Sequence, residues 1–279
     1  GRPRQGDRRH RRRLTRMPRG LPARRPLHTP EGALEIMLSG QGRPVWLLFN
    51  GAGIGLEGWQ GLYPGIESLG TVFAWNRLGI GRSDPPRSPQ TGQQVVDTLR
   101  TTLRQLGLEP PYVLVGHSLG GLHANLFARR YPEEVEAVAF IESTHPEAKD
   151  HGRGHESRLA QVLDRLFPLP KWRFRANLEA ELAWQVETAK EVETAGPFPE
   201  VPLVVVSGSQ PPPRWLADAQ AVALRRKHQK ELAQLSPLGE QVIANRSGHF
   251  PQRSEPGVVL GALRKLATRL EADQAVSPL

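Results

Sequence analysis

Tyr112-Val113-Leu114-Val115-Gly116-His117-Ser118-Leu119-Gly120-Gly121 is the stretch on which the fold turns. An apolar run at 112–115 leads into G-x-S-x-G. Beyond it Leu122, Leu126 and Phe127 recur at helical spacing up to Tyr131-Pro132, where the proline ends the pattern. The reading is strand, very tight turn, helix. A turn this sharp puts Ser118 at its apex with a strained backbone, and Gly116 and Gly120, having no Cβ, let strand and helix pass close together. The serine Oγ then projects from the strand end beside a helix N-terminus, where negative charge is favoured.

Working outward, short apolar runs bounded by turn residues lie at 45–49, 72–75, 138–141 and 203–206, with weaker candidates at 33–38 and 241–244. Such runs suit strands buried on both faces of a parallel sheet. Between them, Val95, Val96, Leu99, Leu103 and Leu106 define one helix, and Val259, Leu263, Leu266 and Leu270 define another. Strand alternating with helix predicts an α/β fold, with a mostly parallel central sheet flanked by helices. Residues 143–198 interrupt the alternation with two amphipathic patterns (Leu159, Val162, Leu163, Leu166; then Leu178, Leu182, Val186, Ala189) and no good strand. That is too long for a plain connection. The expectation is a helical cap at 143–198 between two late strands, over a core of 27–142 and 199–279. Its aromatics, Phe167, Trp172, Phe174, Trp184 and Phe198, serve either as pocket lining or as the cap's own core.

Charge is segregated. Residues 1–25 hold eleven arginines and one acid (Asp7), so the net +9 of the 279-residue chain lies in this segment and the rest is close to neutral. Residues 1–26 therefore read as a disordered Arg-rich tail. One reading places the true start at Met17; the other makes the tail an electrostatic arm for nucleic acid or acidic lipid, although no aromatic is interleaved to stack on bases. The segment lacks the apolar stretch of a secretory leader, so a cytoplasmic location is the expectation. No run approaches the roughly 18 apolar residues of a membrane span. There is no cysteine, which excludes disulfides, thiolate metal sites and a cysteine nucleophile. Neither H-E-x-x-H nor an Asp-rich calcium loop is present, so neither a metal nor a cofactor is expected.

Three further segments accompany the serine turn, in order. They are Phe49-Asn50-Gly51-Ala52-Gly53 after a strand, Asn76-Arg77-Leu78-Gly79-Ile80-Gly81-Arg82-Ser83-Asp84, and Ser247-Gly248-His249-Phe250 before the last helix. Together they resemble the α/β-hydrolase-fold superfamily of serine hydrolases and esterases over residues 30–279. Asn50 stands where that family usually has His, and Asn76 where it has Asp. The resemblance implies Ser118 as nucleophile and His249 as its base, with His117 in the turn directing its side chain away from that base. The triad acid is Glu142, at the end of the 138–141 strand, or Asp218, since chain order fits both. The implied oxyanion donors are the backbone N–H groups of Leu119 and Ala52. The expected function is hydrolysis of a small or medium apolar carboxylic ester or lactone through an acyl-enzyme. The alternative is a non-catalytic ligand receptor or scaffold on the same fold.

Overall fold

The computed structural model describes residues 21–148, 178–212 and 218–276. Eight strands form one sheet: β1 (Arg25–Thr29), β2 (Gly32–Ser39), β3 (Val45–Phe49), β4 (Thr71–Trp75), β5 (Tyr112–His117), β6 (Val135–Ile141), β7 (Leu203–Gly208) and β8 (Gly239–Ala244). Their spatial order is β1-β2-β4-β3-β5-β6-β7-β8. β2 runs antiparallel to β1 and β4, and every pair from β4 through β8 is parallel. The α/β architecture with a mostly parallel sheet is therefore as the periodicity implies. The α-helices include α1 (Tyr63–Glu67), α2 (Gly92–Gln105), α3 (Leu119–Arg130), α4 (Gln185–Thr194), α5 (Ala219–Ala233), α6 (Pro251–Ser254) and α7 (Pro256–Val276).

The central strands are buried on both faces because alternate side chains enter two separate cores. Leu47 and Phe49 of β3 pack in one core with Val96, Leu99 and Leu103 of α2 and Leu126 and Phe127 of α3. Trp46 and Leu48 pack in the other, with Tyr63 and Ile66 of α1 and Val259, Leu263, Leu266 and Leu270 of α7. The apolar spacing of α2 and α7 thus maps onto opposite faces of one sheet.

Two expectations need correction. The tail does not extend to residue 26: Arg25 and Pro26 lie in β1, registered against Ile36 and Glu35. That strand carries no apolar run, and backbone pairing with β2 forms it instead. The second concerns Val186, within the segment 143–198. Residues 149–177, with Leu159, Val162, Leu163, Leu166, Phe167, Trp172 and Phe174, lie outside the described residues, as do 1–20. The part that follows packs into the main core. Leu178, Ala189, Val192 and Phe198 join the α2–α3 side, while Val186, expected on the apolar face, is exposed. The helical phase uses Val192 in place of Val186, because α4 lies along α2 and α3. Phe198 packs 6.2 Å from Phe140 and so belongs to the core.

The tight turn after β5 depends on Gly120. A Cβ there would lie 2.2 Å from the Phe49 carbonyl oxygen and 2.5 Å from that of Asn50, both backbone atoms that cannot yield. Gly120→Ala is therefore expected to cost about 3 kcal/mol or more. Urea unfolding checks this, the expected result being a lower midpoint with an unchanged slope.

Candidate active site

In a parallel sheet the strands' carboxyl ends converge, and here the loops after β3, β5, β6, β7 and β8 meet. Ser118 occupies the gap between β5 and α3 with φ 51° and ψ −124°. Its Oγ lies 3.1 Å from Nε2 of His249, in the loop between β8 and α6. Glu142, just past β6, is 2% exposed, and its Oε2 stands 3.5 Å from His249 Nδ1. Its other oxygen, Oε1, accepts from the Gly208 N–H at 2.7 Å. Glu142 is also in the positive-φ region, at 45°. Asp218, the other candidate acid, sits instead at the start of α5, where its exposed carboxylate caps the helix by accepting from Ala221 N–H at 2.8 Å.

His249 is held from two sides. Before it, the Glu255 carboxylate accepts from Ser247 Oγ and from the Arg246 N–H, each at 2.7 Å. Behind it, His117 Nε2 contacts the His249 carbonyl oxygen at 2.9 Å. A carbonyl can only accept, so that nitrogen carries the proton. His117 therefore points toward the backbone of His249, contrary to the expectation that it turns away. Burial, then the neighbouring His249, push its pKa down to about 3, so the ring is neutral.

The loop that would supply the second oxyanion donor is fastened by groups the sequence reading did not single out. Arg77, 4% exposed, donates to the carbonyl oxygens of Asn50 (2.8 Å) and Gly51 (3.0 Å). It also pairs with Glu181, with Nη2 3.0 Å from Oε2, and that oxygen accepts the Gly53 N–H at 2.6 Å. The Gly53 N–H is thus occupied. Ala52 lies between these anchored residues, and Leu119, as the first residue of α3, has an N–H with no partner in a preceding helical turn. Asn50 and Asn76, the two departures from the family pattern, are both buried, and each uses its amide both to donate and to accept. Asn50 accepts from Trp59 Nε1 and donates to Trp75 O, whereas Asn76 accepts from Leu56 N–H and donates to the buried Glu35 carboxylate at 2.6 Å. An Asp at 76 would set two carboxylates against each other, so the amide follows from Glu35.

Arg225 of α5 was also missed. Its Nη2 donates to Gly208 O at 2.8 Å and its Nε lies 3.4 Å from Glu142 Oε2, on the oxygen that faces His249. Nothing in the helical spacing of α5 marks it. Of these groups only Arg77 lay in a recognised motif.

A family model described as alpha/beta hydrolase fold matches residues 44–189, more than half of the chain. The chain belongs to the alpha/beta hydrolase fold family. Among solved structures of that fold, a thermophilic esterase from Thermogutta terrifontis superposes with a TM-score of 0.64 at 20% identity, covering 89% of this chain and 99% of that one. The enol-lactonase of Burkholderia xenovorans LB400 does so with a TM-score of 0.65 at 19% identity, over 88% and 100%. An uncharacterized protein of Schizosaccharomyces pombe is 37% identical over 99 residues, which are 35% of this chain and 18% of that protein. The chain spans well under two thirds of the curated relatives it matches. Among the described residues, no helix is long and apolar enough to cross a membrane.

Buried neutral histidines are expected to make this alpha/beta hydrolase fold acid-sensitive. The unfolded chain protonates His117 below about pH 6.5, while the folded chain keeps it neutral to about pH 3. Between those values the unfolded state holds the extra proton, so its contribution to stability is complete above pH 6.5 and declines as pH falls. His123, pushed well below the ordinary imidazole value by burial and by the Arg77 charge, acts in the same direction. Urea melts from pH 6.5 to 5 are expected to show His117→Gln, which keeps a donor toward His249 O, losing about 2 kcal/mol less than the parent.

Proposed function

We propose that the protein is a serine hydrolase of small or medium carboxylic esters or lactones, with Ser118, His249 and Glu142 as its triad. The observation that carries this reading is the line of contacts from Ser118 Oγ to His249 Nε2 (3.1 Å) and from His249 Nδ1 to Glu142 Oε2 (3.5 Å). The esterase and lactonase named above share the fold and lend it support.

In this mechanism Ser118 Oγ attacks the ester carbonyl carbon while His249 Nε2 takes the hydroxyl proton. The carbonyl π electrons move to oxygen, and the N–H groups of Leu119 and Ala52 donate to that oxyanion. On collapse, the carbon–oxygen bond to the alcohol breaks, and His249 returns the proton to the leaving oxygen. Water, deprotonated by His249, then attacks the acyl-enzyme; the ester bond to Ser118 breaks, the acid departs and Oγ recovers its proton. Glu142 holds the imidazole tautomer with Nδ1–H toward itself and stabilises the imidazolium. Arg77 and Glu181 keep the loop of Ala52 in place. A receptor function gives no reason to hold Ser118 at a positive φ, which supports the catalytic reading over the binding one.

Labelling with a fluorophosphonate and turnover of p-nitrophenyl esters of graded acyl length test this together. Wild-type protein is expected to be labelled at Ser118 and to turn over at least one ester, and Ser118→Ala to lose both. A folded wild-type chain inert to both reagents would sink the reading. Glu142→Gln is expected to lower kcat by about 10⁴-fold and Asp218→Asn to leave it within about twofold. The reverse pattern would move the acid to α5.

A further inference from the structure

A second group of chemically capable side chains lies near the triad and takes no part in it. His145 and Glu147 follow Glu142 on the chain, while His228 and Glu231, three residues apart on α5, share one face of that helix. One donor atom from each of the four lies within 4.8 Å of the other three. The two imidazoles stack with centroids 4.4 Å apart and planes 13° from parallel. Glu231 divides its carboxylate. Oε1 lies 3.3 Å from the exposed Lys227 ammonium, whereas Oε2 is buried with no hydrogen-bond donor among the described residues, 3.9 Å from His145 Nε2. A buried carboxylate oxygen lacking a donor is costly unless positive charge comes to it.

We propose that His145, Glu147, His228 and Glu231 form a binding site for a borderline-soft divalent cation of the Zn²⁺ class, one that braces the chain leaving Glu142 against α5. Two imidazoles and two carboxylates suit zinc; calcium and magnesium take oxygen ligands throughout. Zinc at about 2.0–2.1 Å from each ligand sets tetrahedral donors about 3.3 Å apart, so the cluster must close by about 1.5 Å and one imidazole must turn out of the stack, because parallel rings cannot aim their in-plane lone pairs at one ion. Glu147 is exposed and Lys227 is a surface partner, so both can yield. His145 Nδ1 accepts from the Glu147 N–H at 3.1 Å, which leaves its proton on Nε2, facing Glu231. Coordination through Nε2 moves that proton to Nδ1 and ends the Glu147 N–H contact. The turn at 145–147 is then free to bring the Glu147 carboxylate onto the cation.

The position suggests the role. On α5, Gln229 donates to Ser143 O at 2.8 Å, and Arg225 stands against Glu142. A cation joining 145–147 to 228–231 would be a third tie between that helix and the segment carrying Glu142. The site stands whether or not Ser118 is a nucleophile.

The test is calorimetric titration of the chelator-treated full chain with Zn²⁺, paired with thermal melts and Co²⁺ absorption spectra. Wild type is expected to bind one tight equivalent displaceable by chelator, with a raised Tm and visible Co²⁺ bands; Mg²⁺ should do neither. His228→Gln and Glu231→Gln should each weaken binding by about a hundredfold or more. Glu147→Gln, a surface change that spares the fold, should weaken it and alter the Co²⁺ spectrum. His249→Ala should retain wild-type affinity. Absence of a tight equivalent, wild-type affinity in all three ligand variants, or loss confined to His249→Ala would overturn the proposal.

Discussion

Two neighbouring residues in a backbone region that side chains avoid hold the site together. Ser118 and Glu142, one past β5 and one past β6, have φ of 51° and 45°. Each such conformation costs on the order of 1–3 kcal/mol and survives only when its surroundings over-determine it. Here they do. Ser118 N–H donates to Ile141 O at 3.3 Å, Thr144 N–H to Ser118 O at 3.0 Å, and Ser143 Oγ to Gly116 O at 2.9 Å. Glu142 N–H donates to Val206 O, continuing the ladder to β7. The two strand exits thus lock each other, and the hydroxyl and carboxylate emerge at fixed positions on either side of His249.

Most of the other contacts described at this end of the sheet secure a loop rather than a side chain. Glu255 fixes the turn before His249, His117 holds its carbonyl, and Arg77 with Glu181 gathers residues 50–53. The Arg77–Glu181 pair is almost fully buried, at 4% and 9% exposure. Such a pair adds little net stability, because desolvation offsets the attraction; its value lies in holding one arrangement of the loop. Arg225 brings a cation to the carboxylate oxygen that also faces His249, so that oxygen lies between two positive partners whenever the imidazole is charged.

The strands at 45–49 and 203–206, the helices built on Leu99 and Leu263, the turn at Ser118 and the histidine at 249 were all readable, because periodicity and turn chemistry are local. β1 was not: Arg25-Pro26-Leu27-His28-Thr29 has no strand pattern, and its partner β2 draws it into the sheet. Val186 was misplaced for a related reason. The spacing that offered it could equally offer Val192, and only the position of α4 against α2 and α3 selects between them.

The sequence by itself determined where the chain bends to present a hydroxyl, since that follows from residue type and near neighbours. The tertiary structure alone decided which side chains stand together. Glu142 faces His249 while Asp218 caps a helix, Glu181 crosses more than a hundred positions to Arg77, and two histidines distant in sequence stack face to face. A carboxylate's role depends on which cation or N–H lies within about 3.5 Å of it. Sheet order and loop packing set that distance.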